Sequence, residues 1–180
     1  MKRKFVARGA LAIGLIVGLS AIAPAYAGDV QDADKTVKLF KKTDPGLDRF
    51  FKSSVGYAVF PNVGKGALGI GGAHGAGILY EHGKPVGKTT LTQVTIGLQM
   101  GGQAYAEIIF FETEKVLSNF KEGNFEFSGQ VSAVAATAGA SANAKYREGV
   151  AVFTATRGGL MFEASVGGQK FSYEPFTKKK

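Results

Sequence analysis

Apolar residues in the N-terminal part of the chain recur at the spacing of an amphipathic helix. Four of them share one face at the 3.6-residue period: Val30, Ala33, Val37 and Phe40. Leu39 projects from the opposite side, among lysines. Asp29 can cap this helix, and Lys41 and Lys42 lie in the last turn, where the helix dipole favours cations. The pattern predicts a helix over 29–43.

A second, shorter helix is predicted directly after the first. Asp44-Pro45-Gly46 ends the first helix, and it can begin another with Asp44 as the cap and Pro45 at the first helical position. The apolar stripe of this second helix comprises Leu47, Phe50, Phe51 and Val55.

From Gly56 onward the period of the pattern changes to two, which is typical of strands. Segment 89–100 alternates, with Val94, Ile96, Leu98 and Met100 on one side and Gln93, Thr95, Gly97 and Gln99 on the other. Segments 104–112 and 149–156 are further predicted strands, and 80–87 is a predicted turn.

The remaining segments complete the predicted order of elements. Segment 159–174 indicates a hairpin that turns at Gly167-Gly168. One internal helix is predicted over 113–122, with Thr113 as its cap and with Val116, Leu117 and Phe120 facing inward. In 131–144 the alanines favour helix, whereas the glycine, serine and threonine favour strand or loop, which is our prediction there.

These elements predict a mostly β (α+β) fold in a single domain. The core is expected to be a curled antiparallel sheet, or a barrel-like one, with N-terminal helices and one internal helix. The expected division is a signal peptide over 1–27 and one domain over 28–180. Within that domain, 28–54 is helical, 55–176 is the β-rich core and 177–180 is a basic tail.

The first residues indicate export. Four basic residues precede an apolar run over 9–23, and Ala25-Tyr26-Ala27 offers a signal peptidase the small residues that it requires. Cleavage after Ala27 would leave 18 basic and 14 acidic residues, a net charge of +4. The expected location is the periplasm, with possible membrane association; a retained anchor is the alternative. Nucleic acid is not expected as a partner of an exported protein with so little excess positive charge.

The glycine-rich stretch 63–77 contains a formal G-x-G-x-x-G at Gly64, Gly66 and Gly69. A dinucleotide loop needs a helix after these glycines, and the residues that follow favour strand. Gly87-Lys88-Thr89 also resembles part of a phosphate-binding loop, but His82 stands where the first glycine is required. We therefore expect no nucleotide, and we interpret the glycines as sites of bulges, bends or close backbone approach.

The residues offer little for catalysis. The chain has no cysteine and two histidines, His74 and His82, which we expect to be solvated. A zinc site or a Ser-His-acid arrangement would have to use one of those two. The sequence predicts no enzyme, no metal and no cofactor; a hydrolase that uses His74 or His82 is the weakest alternative.

Basic and aromatic residues interleave in three segments: "KLFKKT", "RFFKSS" and "YEPFTKKK". Such mixtures suit anionic lipid surfaces, because basic residues attract the headgroups and apolar groups insert. The alternative is that Phe40, Phe50 and Phe51 pack on the sheet while the lysines are merely solvated.

The block Gly56-Tyr57-Ala58-Val59-Phe60-Pro61 and the glycine-rich segment after it resemble the SYLF domain, also called the Ysc84-type or DUF500 domain. Gly97, Gln99 and the turn Gly101-Gly102-Gln103 continue this resemblance. The segments "GNFEFSGQVSAVA" and "GLMFEASVGGQKFSYEPF" are similar to the bacterial branch, so the resemblance extends over 54–176.

This resemblance implies a non-catalytic lipid-binding module. Eukaryotic members bind phosphoinositides and other anionic lipids with help from an N-terminal amphipathic helix, and some bind actin. For an exported bacterial chain, the expected partner is a surface of anionic phospholipid or lipid A. The expected contacts are Lys38, Leu39, Lys41, Lys42, Arg49 and Lys52. The alternative function is a structural component of the envelope that binds a protein partner.

Overall fold

Both predicted N-terminal helices are present in a computed structural model, which describes residues 26–68, 70–96, 103–127, 132–156 and 168–176. The helices are α1 (Ala27–Thr43), α2 (Asp48–Ser53) and α3 (Glu114–Lys121). Single 3₁₀ turns occupy Pro45–Leu47 and Ala140–Asn143. The strands are β1 (Gly56–Leu68), β2 (Ile70–Glu81), β3 (Lys84–Ile96), β4 (Gln103–Phe111), β5 (Val134–Ala135), β6 (Val150–Thr156) and β7 (Gln169–Pro175).

Two of the three predicted caps are confirmed: Asp44 caps the 3₁₀ turn that leads into α2, and Thr113 caps α3. The Asp44 carboxylate accepts a hydrogen bond from Gly46 N at 3.1 Å, and Thr113 Oγ1 accepts one from Val116 N at 3.4 Å. Asp29 does not cap α1, because the helix already begins at Ala27. Its carboxylate lies 2.6 Å from Lys88 Nζ instead, so Asp29 ties the first turn of α1 to β3.

The strands form one seven-stranded sheet in the order β5-β6-β4-β1-β2-β3-β7. Every pair is antiparallel except β5 with β6. The predicted turn at 80–87 is a tight hairpin in which His82 and Gly83 both have positive φ, as a primed turn requires. The mostly β fold with a single antiparallel-rich sheet is confirmed.

The sheet is strongly curled but open. Glu107 on β4 and Gln169 on β7 are separated by four interstrand steps, which would place them about 19 Å apart in a flat sheet. Gln169 Nε2 nevertheless donates to Glu107 Oε2 at 3.2 Å. The curl that we predicted is therefore confirmed; the strand ladders of the described residues do not close into a barrel.

Helices cover both faces of this sheet. On the concave face, α3 packs Leu117 and Phe120 into a core with Phe60, Phe111 and Phe171. On the convex face, the core combines residues of α1, α2 and the sheet, namely Val30, Ala33, Phe40, Phe50, Tyr57, Ile78, Phe110 and Phe153. The sheet is thus the middle layer, and α1 and α2 form the outer layer on the convex side.

At positions 93 and 94 of β3, the polar side chain faces the core and the apolar one faces solvent, which is the reverse of what hydrophobicity predicts. Gln93 is only 3% exposed, whereas Val94 is 74% exposed. Leu91 and Gln93 share the concave side, where polar groups of β4 and β7 meet, so the strand must turn Val94 outward. Residues 97–100 of the predicted strand, and 159–167 of the predicted hairpin, lie outside the described residues.

Segment 132–144 is mostly irregular. It contains the two-residue strand β5 and one 3₁₀ turn, so the prediction of strand or loop for this alanine-rich segment is confirmed.

The glycine-rich stretch forms the β1–β2 hairpin, with Gly64 opposite His74 and Gly66 opposite Gly72. A strand and not a helix follows these glycines, which confirms that the nucleotide-loop context is missing. Pro61 lies where the register shifts, as proline in a central strand requires. A Cβ on Gly77 would lie 2.4 Å from Val59 O at this bulge, so glycine is needed for close approach.

Gly77→Ala is therefore expected to lower the free energy of unfolding by about 2 kcal/mol, because the methyl group must displace backbone in a packed sheet. Gly64→Ala is the matched control, since nothing lies within 4 Å of its added Cβ. Urea denaturation of both variants measures the difference. Equal free energies of unfolding for the two variants would show that the close approach of Val59 O does not require glycine at position 77.

Candidate lipid-binding surface

The exposed side of α1 presents three lysines and one leucine. Lys38 and Lys42 lie one turn apart, with Leu39 between them at 41% exposure. Lys35 shares this side, but its Nζ lies 2.9 Å from Asp32 Oδ1. In the part of the chain that the structure describes, Lys38 and Lys42 form no ion pair. Their charges therefore remain available to an external anion.

Lys41 lies at the border between α1 and α2. Its Nζ is 2.9 Å from Asp48 Oδ1 and 4.4 Å from the centre of the Phe51 ring. The hydrogen bond and the charge of Lys41 lower the pKa of Asp48, and Lys52 adds a weaker effect. Lys52 itself is exposed on α2. Lys41 is thus partly neutralised within the protein, whereas Lys52 extends the basic surface.

Arg49 has a different environment from the other predicted contacts. Its Nη2 donates to Ser141 O at 2.6 Å and to Ala144 O, and its guanidinium lies 4.4 Å from the Phe50 ring centre. These bonds hold α2 against the loop that follows β5. The sequence pattern showed a basic residue beside aromatics, but it did not show carbonyl acceptors more than ninety positions away.

Asp44, which follows α1, accepts a hydrogen bond from the same loop. The carboxylate is buried, and its Oδ2 accepts from Ser141 N at 2.7 Å while Oδ1 accepts from Gly46 N. Burial acts to raise the pKa of Asp44, but hydrogen bonds from Ser141, Gly46 and Gly139 outweigh it and lower the pKa. The sequence predicted Asp44 as a cap, but it did not predict the hydrogen bond from Ser141 N.

The aromatic residues of the basic segments belong mainly to the core. Phe40 and Phe50 are buried, and half-buried Phe51 packs edge-on against Tyr57 and Phe110. This is the packing alternative that the sequence left open. On the described part of α1, Leu39 is consequently the large apolar side chain that faces outward.

The orientation of α1 is fixed from beneath by two stacked tyrosines. Tyr80 Oη donates to Asp34 Oδ1 at 2.8 Å, and the Tyr57 and Tyr80 rings stack at 4.9 Å. Burial, reinforced by the Asp34 charge, raises the pKa of Tyr57 to about 12, and burial likewise raises that of Tyr80. Helix-dipole complementarity alone would explain Asp34 in the sequence, so its contact with Tyr80 was missed.

A buried polar cluster occupies the concave face. Glu107, Gln169, Tyr105 and Gln93 are all nearly inaccessible to solvent. Burial raises the pKa of Tyr105, and the neighbouring Glu107 charge raises it further. Sequence reasoning missed this cluster because its members come from three distant strands.

The two histidines are solvated, as predicted. His74 is exposed on β2, and His82 is exposed in the β2–β3 turn with its Nε2 3.9 Å from Glu114 Oε1. Among the described residues, no group of three or more potential ligands could hold a metal ion. Across the same ranges of the chain, none of the helices combines the length and apolar character needed to span a bilayer.

Comparison with known proteins identifies a family match in the second half of the chain. Residues 92–175 match the Ysc84 family, described as a Las17-binding protein actin regulator. Beta cell expansion factor A of Aeromonas veronii is 28% identical over 138 residues, which cover 75% of this chain and 51% of that protein. The chain thus spans about half the length of this curated relative. The resemblance noted from the sequence is confirmed: residues 92–175 match the model of the Ysc84 family, whose domain is also called SYLF.

Proposed function

We propose that this domain binds anionic lipid surfaces peripherally and without catalysis, through the exposed side of α1. The observation that carries this proposal is the pair Lys38 and Lys42, which flanks the outward-facing Leu39 and forms no ion pair with any residue that the structure describes. Each basic residue near an anionic bilayer contributes about 1 kcal/mol, and a leucine side chain adds burial of apolar area.

The other predicted contacts have unequal roles in this proposal. Lys52 adds charge beside the α1 surface, and Lys41 adds less because Asp48 already neutralises part of it. Arg49 holds the neighbouring loop and supports the surface indirectly. The aromatic rings hold α1 and α2 on the sheet, so membrane insertion is shallow and depends on Leu39.

The membrane concerned is proposed to be that of a bacterial envelope, reached by export with the leader over 1–27. The available anions there are phospholipid headgroups and lipid A. The family description names an actin regulator, and a protein partner in the envelope is the competing function for this chain.

Reversal of both free lysines tests the proposed surface. Lys38→Glu/Lys42→Glu should weaken binding to phosphatidylglycerol-containing vesicles by about 30-fold or more, because two contributions of about 1 kcal/mol are lost and repulsion is added. Vesicle co-sedimentation at low salt measures the affinity, and circular dichroism checks the fold.

The matched control is Lys84→Glu/Lys115→Glu. Both lysines are exposed, on β3 and α3, and their reversal changes the net charge by the same amount. If both double variants lose the same affinity, net charge and not the α1 surface governs binding. If neither double variant loses affinity for vesicles, and the wild-type chain but not the variants retains a protein from an envelope extract, the competing function is correct.

A further inference from the structure

A groove with a volume of about 450 Å³ lies between α2, the end of β4 and the loop that precedes β6. Its charged lining residues have both signs, since Arg49 and Lys145 are cations and Glu112 is an anion. All three side chains are exposed to solvent. A groove of this size accommodates a small molecule, and its charges decide the chemical class of that molecule.

The opposite charges in this groove do not neutralise one another. Over the described ranges, neither cation forms an ion pair, and Glu112 forms none either. Nη2 of Arg49 donates to two carbonyl oxygens, those of Ser141 and Ala144, so the guanidinium cannot swing across to Glu112 without breaking these bonds. The carbonyl groups orient the guanidinium, but they leave its positive charge available to a ligand carboxylate.

The half-buried Tyr146 side chain is close to both charges. Burial has the largest effect and raises the pKa of its hydroxyl, while Glu112 also raises this pKa and Arg49 lowers it. The Tyr146 ring packs edge-on against Phe50 at 5.3 Å, and the hydroxyl lies 3.2 Å from Ser53 Oγ. Phe50 is only 2% exposed, so it supports this wall of the groove and offers no surface to a ligand. Because the protein itself holds Tyr146 in place, binding requires little ordering of the wall.

We propose that this groove binds a short peptide as a zwitterion, with its carboxylate at Arg49 and Lys145 and its ammonium group at Glu112. The termini of an extended dipeptide are about 7 Å apart, so its two charges can reach a cation and an anion that do not reach each other. A side chain of the peptide packs on the Tyr146 ring. None of the lining residues belongs to α1, and this proposal does not depend on lipid binding.

Titration of the nitrogen-15-labelled full chain with alanylalanine, followed by NMR, tests the proposal. The dipeptide should bind saturably, and the largest amide shifts should occur at residues 112 and 144–146. N-acetyl-alanylalanine lacks the ammonium group, and alanylalanine amide lacks the carboxylate. Each should bind about fivefold more weakly than alanylalanine, because each loses one partly exposed ion pair.

Two single variants assign the two ends of the peptide. Glu112→Gln should bind alanylalanine and its N-acetyl form equally, while it still discriminates against the amide. Lys145→Gln should discriminate less against the amide and as well as the wild type against the N-acetyl form. Both residues are exposed, so the fold should be retained. Glu114→Gln and Lys84→Gln are the matched controls, because they remove the same charges from exposed positions outside the groove, and both should behave as the wild type.

The peptide proposal is overturned if alanylalanine fails to bind saturably, or if either of its singly charged forms binds the wild type as tightly. It is also overturned if Glu112→Gln keeps the wild-type discrimination against the N-acetyl form, or if the control variants lose as much affinity as the groove variants.

Discussion

Glu107→Ala is expected to lower the free energy of unfolding by about 3 kcal/mol. The substitution removes the acceptor of Gln169 Nε2 in a fully buried position, and it leaves a void beside Tyr105 and Gln169. A buried donor without its acceptor costs about 1–3 kcal/mol, and the cavity adds to that cost. Because the lost contact joins β4 to β7 across the concave face, amide exchange of β7 should also accelerate.

Glu107→Gln is the control for this prediction. It preserves the shape and one acceptor oxygen, so its loss of stability should be about 1 kcal/mol. Urea denaturation gives the two free energies, and hydrogen exchange reports on β7. The proposed role of the Glu107–Gln169 hydrogen bond in joining β4 to β7 is wrong if the alanine and glutamine variants have equal free energies of unfolding. It is also wrong if amide exchange in β7 is unchanged in the alanine variant.

Asp44→Ala is expected to have a comparable effect, also about 3 kcal/mol at neutral pH. It removes the acceptor of two backbone N–H groups, on Gly46 and on the buried Ser141. The pKa of Asp44 is lowered in the folded protein, so the carboxylate stabilises the fold above its unfolded pKa, near 3.9. That stabilisation is lost as the pH falls through the folded pKa.

The stability difference between wild type and Asp44→Ala should therefore be complete at pH 7 and should shrink below about pH 4. Denaturation at several pH values between those limits measures it. Asp44→Asn, which keeps one acceptor, should lie between the two proteins. A difference that stays constant as the pH is lowered would mean that the ionised carboxylate is not the source of the stability.

Local patterns in the sequence predicted most of the elements. The 3.6-residue period identified α1, the residues of 80–87 indicated the turn that joins β2 to β3, and Asp44 and Thr113 correctly indicated caps. Each of these features depends on residues within a few positions of one another, so a single sequence contains the required information. The outward position of Leu39 follows from the same periodicity.

The features that the sequence did not show depend on distant pairs. Arg49 and Ser141 are 92 positions apart, and Glu107 and Gln169 are 62 apart. The curl that joins the latter pair also explains why Gln93 is buried and Val94 exposed. A strand's own alternation specifies two sides, but the neighbouring strands decide which of them faces the core.

The most direct test of lipid binding compares vesicles of different charge. The full chain should sediment with phosphatidylglycerol-containing vesicles in preference to phosphatidylcholine vesicles at low salt. The preference should fall as salt shortens the screening length to about 3 Å near 1 M. Lys38→Glu/Lys42→Glu, measured in parallel on a chain of the same length, should lose most of the preference. Equal binding of the wild-type chain to both vesicles at low salt, or an equal preference in the variant, would contradict the proposed function.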